Sequence, residues 1–208
     1  IIAPGYSFYL FNEPDKKVAK SSGFSLKKND VIVDKTRIAV LNDIYYYDIN
    51  SAIKDAAKTE NSVITLLENI NLGSKSLKIS EGQFSINMNG KTITSKNSAA
   101  TVIVDEAANV NFYDESEKSL ITNTNEKSKS TIISYGYLTL DSINVDGTCV
   151  VNDGNLLTLK NGTDLACRLN SSGNLVVTDT TISAFSNAVT IENDGSIDVV
   201  FGEGSRVK

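Results

Sequence analysis

The stretch ITLLENINLGSKSLKISEGQFSINMNGKTITS, residues 64–95, keeps restarting one short strand. Leu77 and Ile79 alternate with polar neighbours, a glycine-containing turn interrupts, and Phe84, Ile86 and Met88 resume the alternation. A period of two puts the apolar side chains on one face of an extended chain and the polar ones on the other. Strands this short cannot shield an apolar face alone, so more strands of the same kind must cover it.

The same unit recurs down the chain as strand, polar turn, strand. Its turns are SEGQ (80–83), DEAAN (105–109), SYGY (134–137), NDGN (152–155), NSSGN (170–174) and ENDGS (192–196). The strands that follow start at Phe84, Val110, Leu138, Leu156, Leu175 and Ile197, at successive intervals of 26, 28, 18, 19 and 22 residues. Repeats of ~20–50 residues mark a solenoid. Unequal intervals fit rungs that bulge on one side while the corner stays fixed. The pattern predicts an all-β fold: a right-handed parallel β-helix (solenoid) with one N-terminal capping α-helix and a small N-terminal β element. It also predicts an inward ladder of Ile79, Ile103, Ile133, Leu169 and Ile191 just before the turns. The competing architecture is an antiparallel β-sandwich, which would favour two-residue Asn-Gly hairpins. Asn89-Gly90 and Asn161-Gly162 occur, but most turns are longer corners.

Composition narrows the chemistry. The chain of 208 residues has no His, no Trp, two Pro and a net charge of −5. Without histidine there is no side chain titrating near neutrality and no commonest metal ligand, which excludes serine triads and histidine-based zinc sites. Acidic and basic residues are interspersed, without the clustered Lys/Arg surface that nucleic acid needs. No apolar run reaches the ~18 residues of a membrane span, so no membrane insertion is expected. The chain opens on Ile1, which fits a mature or excised piece of a longer protein.

Residues 1–41 read as a small β element or link to a neighbouring module, and 42–208 as the β-helix. DINSAIKDAAK carries the one helix, expected over 48–58. Asp48 or Asn50 serves as its N-cap, and Ile49, Ala52, Ile53, Ala56 and Ala57 form its apolar stripe. That stripe would cover the first rung, because a bare solenoid end exposes unpaired edges. VFGEGSRVK at the other end carries no such cap, so the solenoid is expected to continue or to be covered there.

Tyr45–Tyr47, the helix, SVITLLENINL and MNGKTIT together resemble the opening of pectin-lyase-like right-handed β-helix domains. Such domains occur in surface and secreted proteins of Gram-positive bacteria. The resemblance is closest over 44–95 and continues over 96–208 only as the rung rhythm. It implies a secreted or cell-wall-attached bacterial module, with neighbouring domains and a glycan, host or cell-wall polymer as partners. Enzymes of that fold are polysaccharide lyases or hydrolases. Those resembling pectate lyases use Asp-bound calcium and an arginine, whereas polygalacturonase-like ones use clustered aspartates with a histidine and an Arg-x-Lys motif. This chain has no histidine and no adjacent Asp-Asp pair, and its arginines after residue 41 are Arg168 and, near the C-terminal end, Arg206. The expectation is therefore a non-catalytic module for adhesion, glycan binding or spacing, with no catalytic residue, cofactor or metal. A polysaccharide lyase or glycoside hydrolase is the alternative. Carboxylates at ~5–9.5 Å would suffice for hydrolysis, and Asp105, Glu106, Asp114, Glu115 and Glu117 are the acids considered.

Candidate ligand-binding residues are Tyr135 and Tyr137, as flat faces at a corner, and Asp114 and Glu115 in the acidic loop DESE. Asn87, Asn89, Asn109 and Asn111 are expected to be partly internal and stacked. Cys149 and Cys167 each lie three residues before a turn, at Asn152 and Asn170. That spacing predicts one inward ladder at ~4.8 Å, close enough for a disulfide but poorly oriented for it. The preferred reading is a buried, reduced pair.

Overall fold

The computed structural model describes residues 36–116, 119–184, 187–192 and 198–208. Most of residues 1–41, together with Glu117 and Ile197, lies outside the described residues. Within them the protein is mostly β, with a single helix and one connected sheet of solenoid-like pairing.

The chain opens with a hairpin of β1 (Ala39–Leu41) and β2 (Ile44–Tyr46), followed by α1 (Ile49–Ala56). It then passes through three ladders in a fixed order. β3 (Ser62–Leu66) lies in the first ladder and β4 (Ile70–Asn71) in the second. β5 (Leu77–Asn87) begins in the third and turns back into the first, β6 (Thr92–Ser95) joins the second, and β7 (Val102–Tyr113) repeats the passage from third to first. β8 (Leu120–Asn123), β9 (Ile132–Ser134) and β10 (Tyr137–Asp141) visit second, third and first. β11 (Asn144–Asn152) runs from second to third and β12 (Leu156–Lys160) returns to the first. β13 (Thr163–Ser171) and β14 (Asn174–Val177) do the same. β15 (Thr180–Ile182), β16 (Val189–Ile191), β17 (Val199–Phe201) and β18 (Arg206–Val207) complete the last visits.

Among the described residues, β1 alone makes antiparallel pairs, with β2 and β3, and every other pairing is parallel. That removes the sandwich of antiparallel hairpins. The two Asn-Gly pairs turn corners between strands of different ladders. Asn89 and Asn161 supply the left-handed φ there, at 49° and 53°, as Ser142 and Asp179 do at other rungs, with φ of 60° and 44°.

The core is stacked along each ladder. In the first, Phe84, Val110, Leu138, Leu157 and Leu175 lie in register and are buried. Four of these start the strands expected from sequence; the fourth rung is shifted by one residue, from Leu156 to Leu157. In the second, Ile70, Ile93, Ile121, Val145, Leu165 and Ile182 stack inward.

The third ladder corrects the expected one. Leu77, Val102, Ile132, Val150 and Leu169 form one buried row, and Ile79, Val104, Ser134, Asn152 and Ser171 another. Ile103 and Ile133 pair with each other on the opposite, half-buried face. The asparagines are corrected too. Asn89 and Asn109 are exposed and Asn87 and Asn111 half-buried, while Asn123 and Asn152 are the interior ones.

Asp48 caps α1, accepting from the Ser51 backbone N–H at 3.0 Å and its hydroxyl at 2.9 Å. Ile49, Ala52, Ile53 and Ala56 are buried against β1, β2, β3 and β5, so the stripe covers the first rung. Tyr46 is buried between Tyr45 and Tyr47, and its hydroxyl donates to Asp55 at 3.1 Å. The boundary expected after residue 41 falls inside the β1–β2 hairpin, whose first strand pairs with β3.

Candidate functional site

The passage from second to third ladder differs between rungs, and the difference makes a groove. After β8 the chain leaves the ladder for a loop before β9, whereas β11 and β13 run straight through the same corner. The loop therefore stands out as a wall above two flush rungs. Side-chain amides hold that wall. Asn97 donates to the Ser74 carbonyl at 2.8 Å, Asn123 to the Asn97 carbonyl at 3.0 Å and Asn125 to the Lys96 carbonyl at 3.2 Å. Ser128 closes the loop on the Ser130 carbonyl at 2.7 Å.

Beneath the wall lies an open groove of about 1000 Å³. Thr122 and Glu126 border it on the β8 side, Asp146 and Thr148 on β11, Arg168 on β13, and Ser183 and Lys208 beyond. Asp146 pairs with Thr122 on one side and Ala166 on the other, so these side chains share one outward row. Ile182 pairs with Val207, which carries Ser183 and Lys208 along the same direction. No ion pair joins the two acids to the two bases of this groove among the described residues.

One of the two cysteines, Cys167, is part of the groove lining. The register of β11 and β13 slips between Asp146 and Cys149, where Gly147 takes a φ of 138° that L side chains avoid. Beyond the slip Asn152 pairs with Ser171 rather than with Asn170, so Cys149 lies opposite Arg168 rather than opposite Cys167, which corrects the expected ladder. Both thiols are nevertheless buried and free. Burial pushes the Cys167 thiol up to about 12, with the neighbouring Cys149 and Asp146 adding to the shift. Burial likewise raises Cys149, against the pull of Arg168. Neither is an activated nucleophile.

A second, smaller groove of about 490 Å³ crosses the outer face of the first ladder. Tyr137, Leu156 and Val176 form its aromatic and apolar strip, with Asn155, Asn174 and Asp198 along the edge. The Asn174 amide donates to the Asn155 carbonyl at 2.9 Å and its oxygen accepts from the Asp198 N–H at 2.8 Å, so the edge is rigid.

The four residues singled out from sequence are dispersed. Tyr137 is 46 % exposed and lines the smaller groove, while Tyr135, 39 % exposed, lines neither groove. Asp114 is only 5 % exposed and works locally. Its carboxylate accepts from the backbone of Gly90 at 3.2 Å, Ser116 at 3.0 Å and Ser119 at 2.9 Å, and from the Ser116 hydroxyl. Glu115 beside it is exposed and lines neither groove. Of the other acids considered, Asp105 is tied to Lys78 at 3.0 Å and Glu106 is exposed.

Sequence reasoning found Arg168 but not Glu126, Asp146 or Lys208, its companions in the groove. It also counted no Arg-x-Lys motif, which Arg206-Val207-Lys208 corrects, and Lys208 lines that groove. The signal available was rung spacing: Asp146 and Arg168 are both second-to-third corner residues, one rung apart. Among the described residues no cluster of metal-ligating side chains occurs, and no helix is long and apolar enough to cross a membrane. No protein-family model matches the chain, and no curated protein and no solved structure matches it.

Proposed function

We infer that the chain is a right-handed parallel β-helix of the pectin-lyase-like kind. Its role on this reading is that of a non-catalytic module of a secreted or cell-wall-attached bacterial protein, binding glycan and holding its neighbours apart. The cycle through three parallel ladders supports the architecture. The hand follows from the rule that parallel crossovers are right-handed in almost all cases. The resemblance over residues 44–95 supports the family and the setting.

The single observation that carries glycan binding is the open groove from Thr122 to Lys208. Most of the residues lining it are polar or charged, a loop fixed through asparagine amides walls it, and strands whose backbone groups are already paired floor it. Hydroxyls and charges on a rigid floor suit sugar hydroxyls, and rigidity lowers the entropic cost of binding. Tyr137 adds a stacking face on the smaller groove. The test is a glycan array followed by titration of the hits. Binding that weakens on Asp146→Asn or Tyr137→Ala supports the reading, and an array with no hits removes glycan from it.

The alternative, a polysaccharide lyase or glycoside hydrolase, is favoured by one specific feature. Glu126, Asp146 and Arg168 converge in the same groove, although none of Asp105, Glu106, Asp114 and Glu115 lines it. Incubation with pectin and host glycans distinguishes the two. New reducing ends or unsaturated products that disappear in Asp146→Asn would make the groove an active site; unchanged polymer leaves it a binding surface.

A further inference from the structure

We propose that the groove selects a zwitterionic glycan, in which an amino sugar and a carboxylated or phosphorylated sugar alternate, and binds it in one direction along the solenoid. The proposal rests on the glycan-binding reading and names the ligand class of that groove.

Charge in the groove is sorted by rung. Glu126 follows β8, Asp146 lies on β11, Arg168 on β13 and Lys208 follows β18. The acids therefore occupy the rungs nearer the capped end and the bases the rungs beyond. At ~4.8 Å per rung, Asp146 and Lys208 stand three rungs, or ~14 Å, apart along the axis. Arg168 lies one rung past Asp146, opposite Cys149. Charges of opposite sign this close, held on paired strands and a pinned loop, would gain by meeting, yet no ion pair joins them. Each stays available to a ligand of opposite charge. A ligand with only negative groups meets repulsion from Glu126 and Asp146, and one with only positive groups meets it from Arg168. A ligand carrying an ammonium at one end and an anion at the other satisfies both halves, and reversing it places like against like.

The groove favours a glycan over a peptide. Its floor strands, β11 and β13, are hydrogen-bonded on both sides, so no free edge invites an added strand. Its lining of Thr122, Thr148 and Ser183 offers hydroxyls to sugar groups. Lys127 and Lys129 share the wall loop but do not line the groove, which makes Lys129 a control position.

The experiment titrates the full chain with three tetrasaccharides by calorimetry. One alternates glucosamine and glucuronate, the second is its N-acetylated, purely anionic parent, and the third is an all-glucosamine, purely cationic oligomer. The expected result is that the first binds roughly tenfold or more tightly than either of the others, the scale of one charge-assisted contact. Asp146→Asn should remove the preference over the anionic parent and Arg168→Gln the preference over the cationic oligomer. Lys129→Gln should leave all three unchanged. Thermal melts of each variant separate lost binding from lost folding. Equal binding of all three sugars, or of an alternating Lys-Asp peptide, overturns the charge selection and leaves glycan binding or peptide binding as the groove's role. No binding by any sugar here or on the array overturns both readings.

Discussion

Cys149 lies opposite Arg168 across the β11–β13 pairing, and Cys167 falls in the slip of register just before it. Asn152 pairs with Ser171, one residue past Asn170, so two cysteines that count as equivalent from their turns are displaced by one residue along the strands. Both still end inside. The outer surface beside the slip at Gly147 carries Asp146 and Arg168, which border the groove.

That placement fixes the behaviour of the thiols. Both are raised by burial, Cys167 to about 12, whereas an unfolded cysteine titrates near ~8.5. Above that value the unfolded chain releases protons that the folded chain keeps. Stability therefore falls as pH rises through the window between the unfolded value and the folded one, by at most ~1.4 kcal/mol per pH unit for each thiol. Denaturant melts from pH 8 to 11 should show this decline, and Cys167→Val should flatten it relative to the parent protein. A thiol reagent at pH 8 should react with neither cysteine until denaturant is added. Rapid labelling of the native protein would show that the slip opens to solvent.

A second expectation concerns the glycines of the third-to-first corner. A Cβ at Gly154 would land on the Tyr135 backbone carbonyl, and one at Gly173 on that of Gly154. These are contacts between backbones of adjacent rungs, which cannot yield without opening the stack. At Gly162 a Cβ meets open space, and only the φ of 82° opposes it. Gly154→Ala and Gly173→Ala should each cost about 3 kcal/mol or more, at or beyond the usual range for overpacking. Gly162→Ala should cost about 1–2 kcal/mol. Urea midpoints of the three variants decide it, and equal losses would mean that the rungs are not packed this closely.

The corner was legible because its chemistry is local. SYGY, NDGN and NSSGN each bring a small residue where backbones must meet, so the turns could be aligned with no knowledge of the pairing. Register within a rung was less legible. Ile103, Ile133 and Val151 form an apolar row on the outward face, so alternation alone could not tell which of two adjacent residues points inward. The same ambiguity displaced Leu156 by one. The groove was not legible at all as a set. Glu126, Asp146, Arg168 and Lys208 are each separated by about one rung or more of chain, and only the pairing shows that a loop, two flush corners and a strand end share one surface. Tyr137 was visible as an aromatic at a corner, whereas the burial of Asp114 follows from the backbone groups of three different turn residues.

The cap of α1 gives a sharper test than its packing, because it rests on one side chain. Burial raises the Asp48 carboxyl, but the Ser51 hydrogen bonds outweigh that effect and leave it below the usual carboxylate value. Asp55 is lowered too, chiefly by its hydrogen bond from Lys58. For a lowered carboxyl the added stability is present above the unfolded value near ~3.9 and is lost as pH falls through the folded one. Asp48→Ala should cost about 1 kcal/mol at neutral pH, while Asp48→Asn, which still caps, should cost a few tenths. Both should lose less stability than the parent on acidification below pH 4. A parent and Asp48→Ala with identical melts across that range would show that the cap contributes nothing.

Asp114 separates structural acids from ligand-binding ones. Its oxygens hold the N–H groups of Gly90, Ser116 and Ser119, linking the corner after β5 to the loop after β7. Removing the carboxylate leaves those donors without their acceptor in a buried setting, at about 1–3 kcal/mol for the group. Asp114→Ala should therefore lower the melting temperature and leave glycan affinity at either groove unchanged below the transition. Glu115→Gln, at an exposed position, should change neither. A loss of affinity in Asp114→Ala with an unchanged melt would return this acid to the set of ligand contacts, and would place a binding surface on the DESE loop that neither groove reaches.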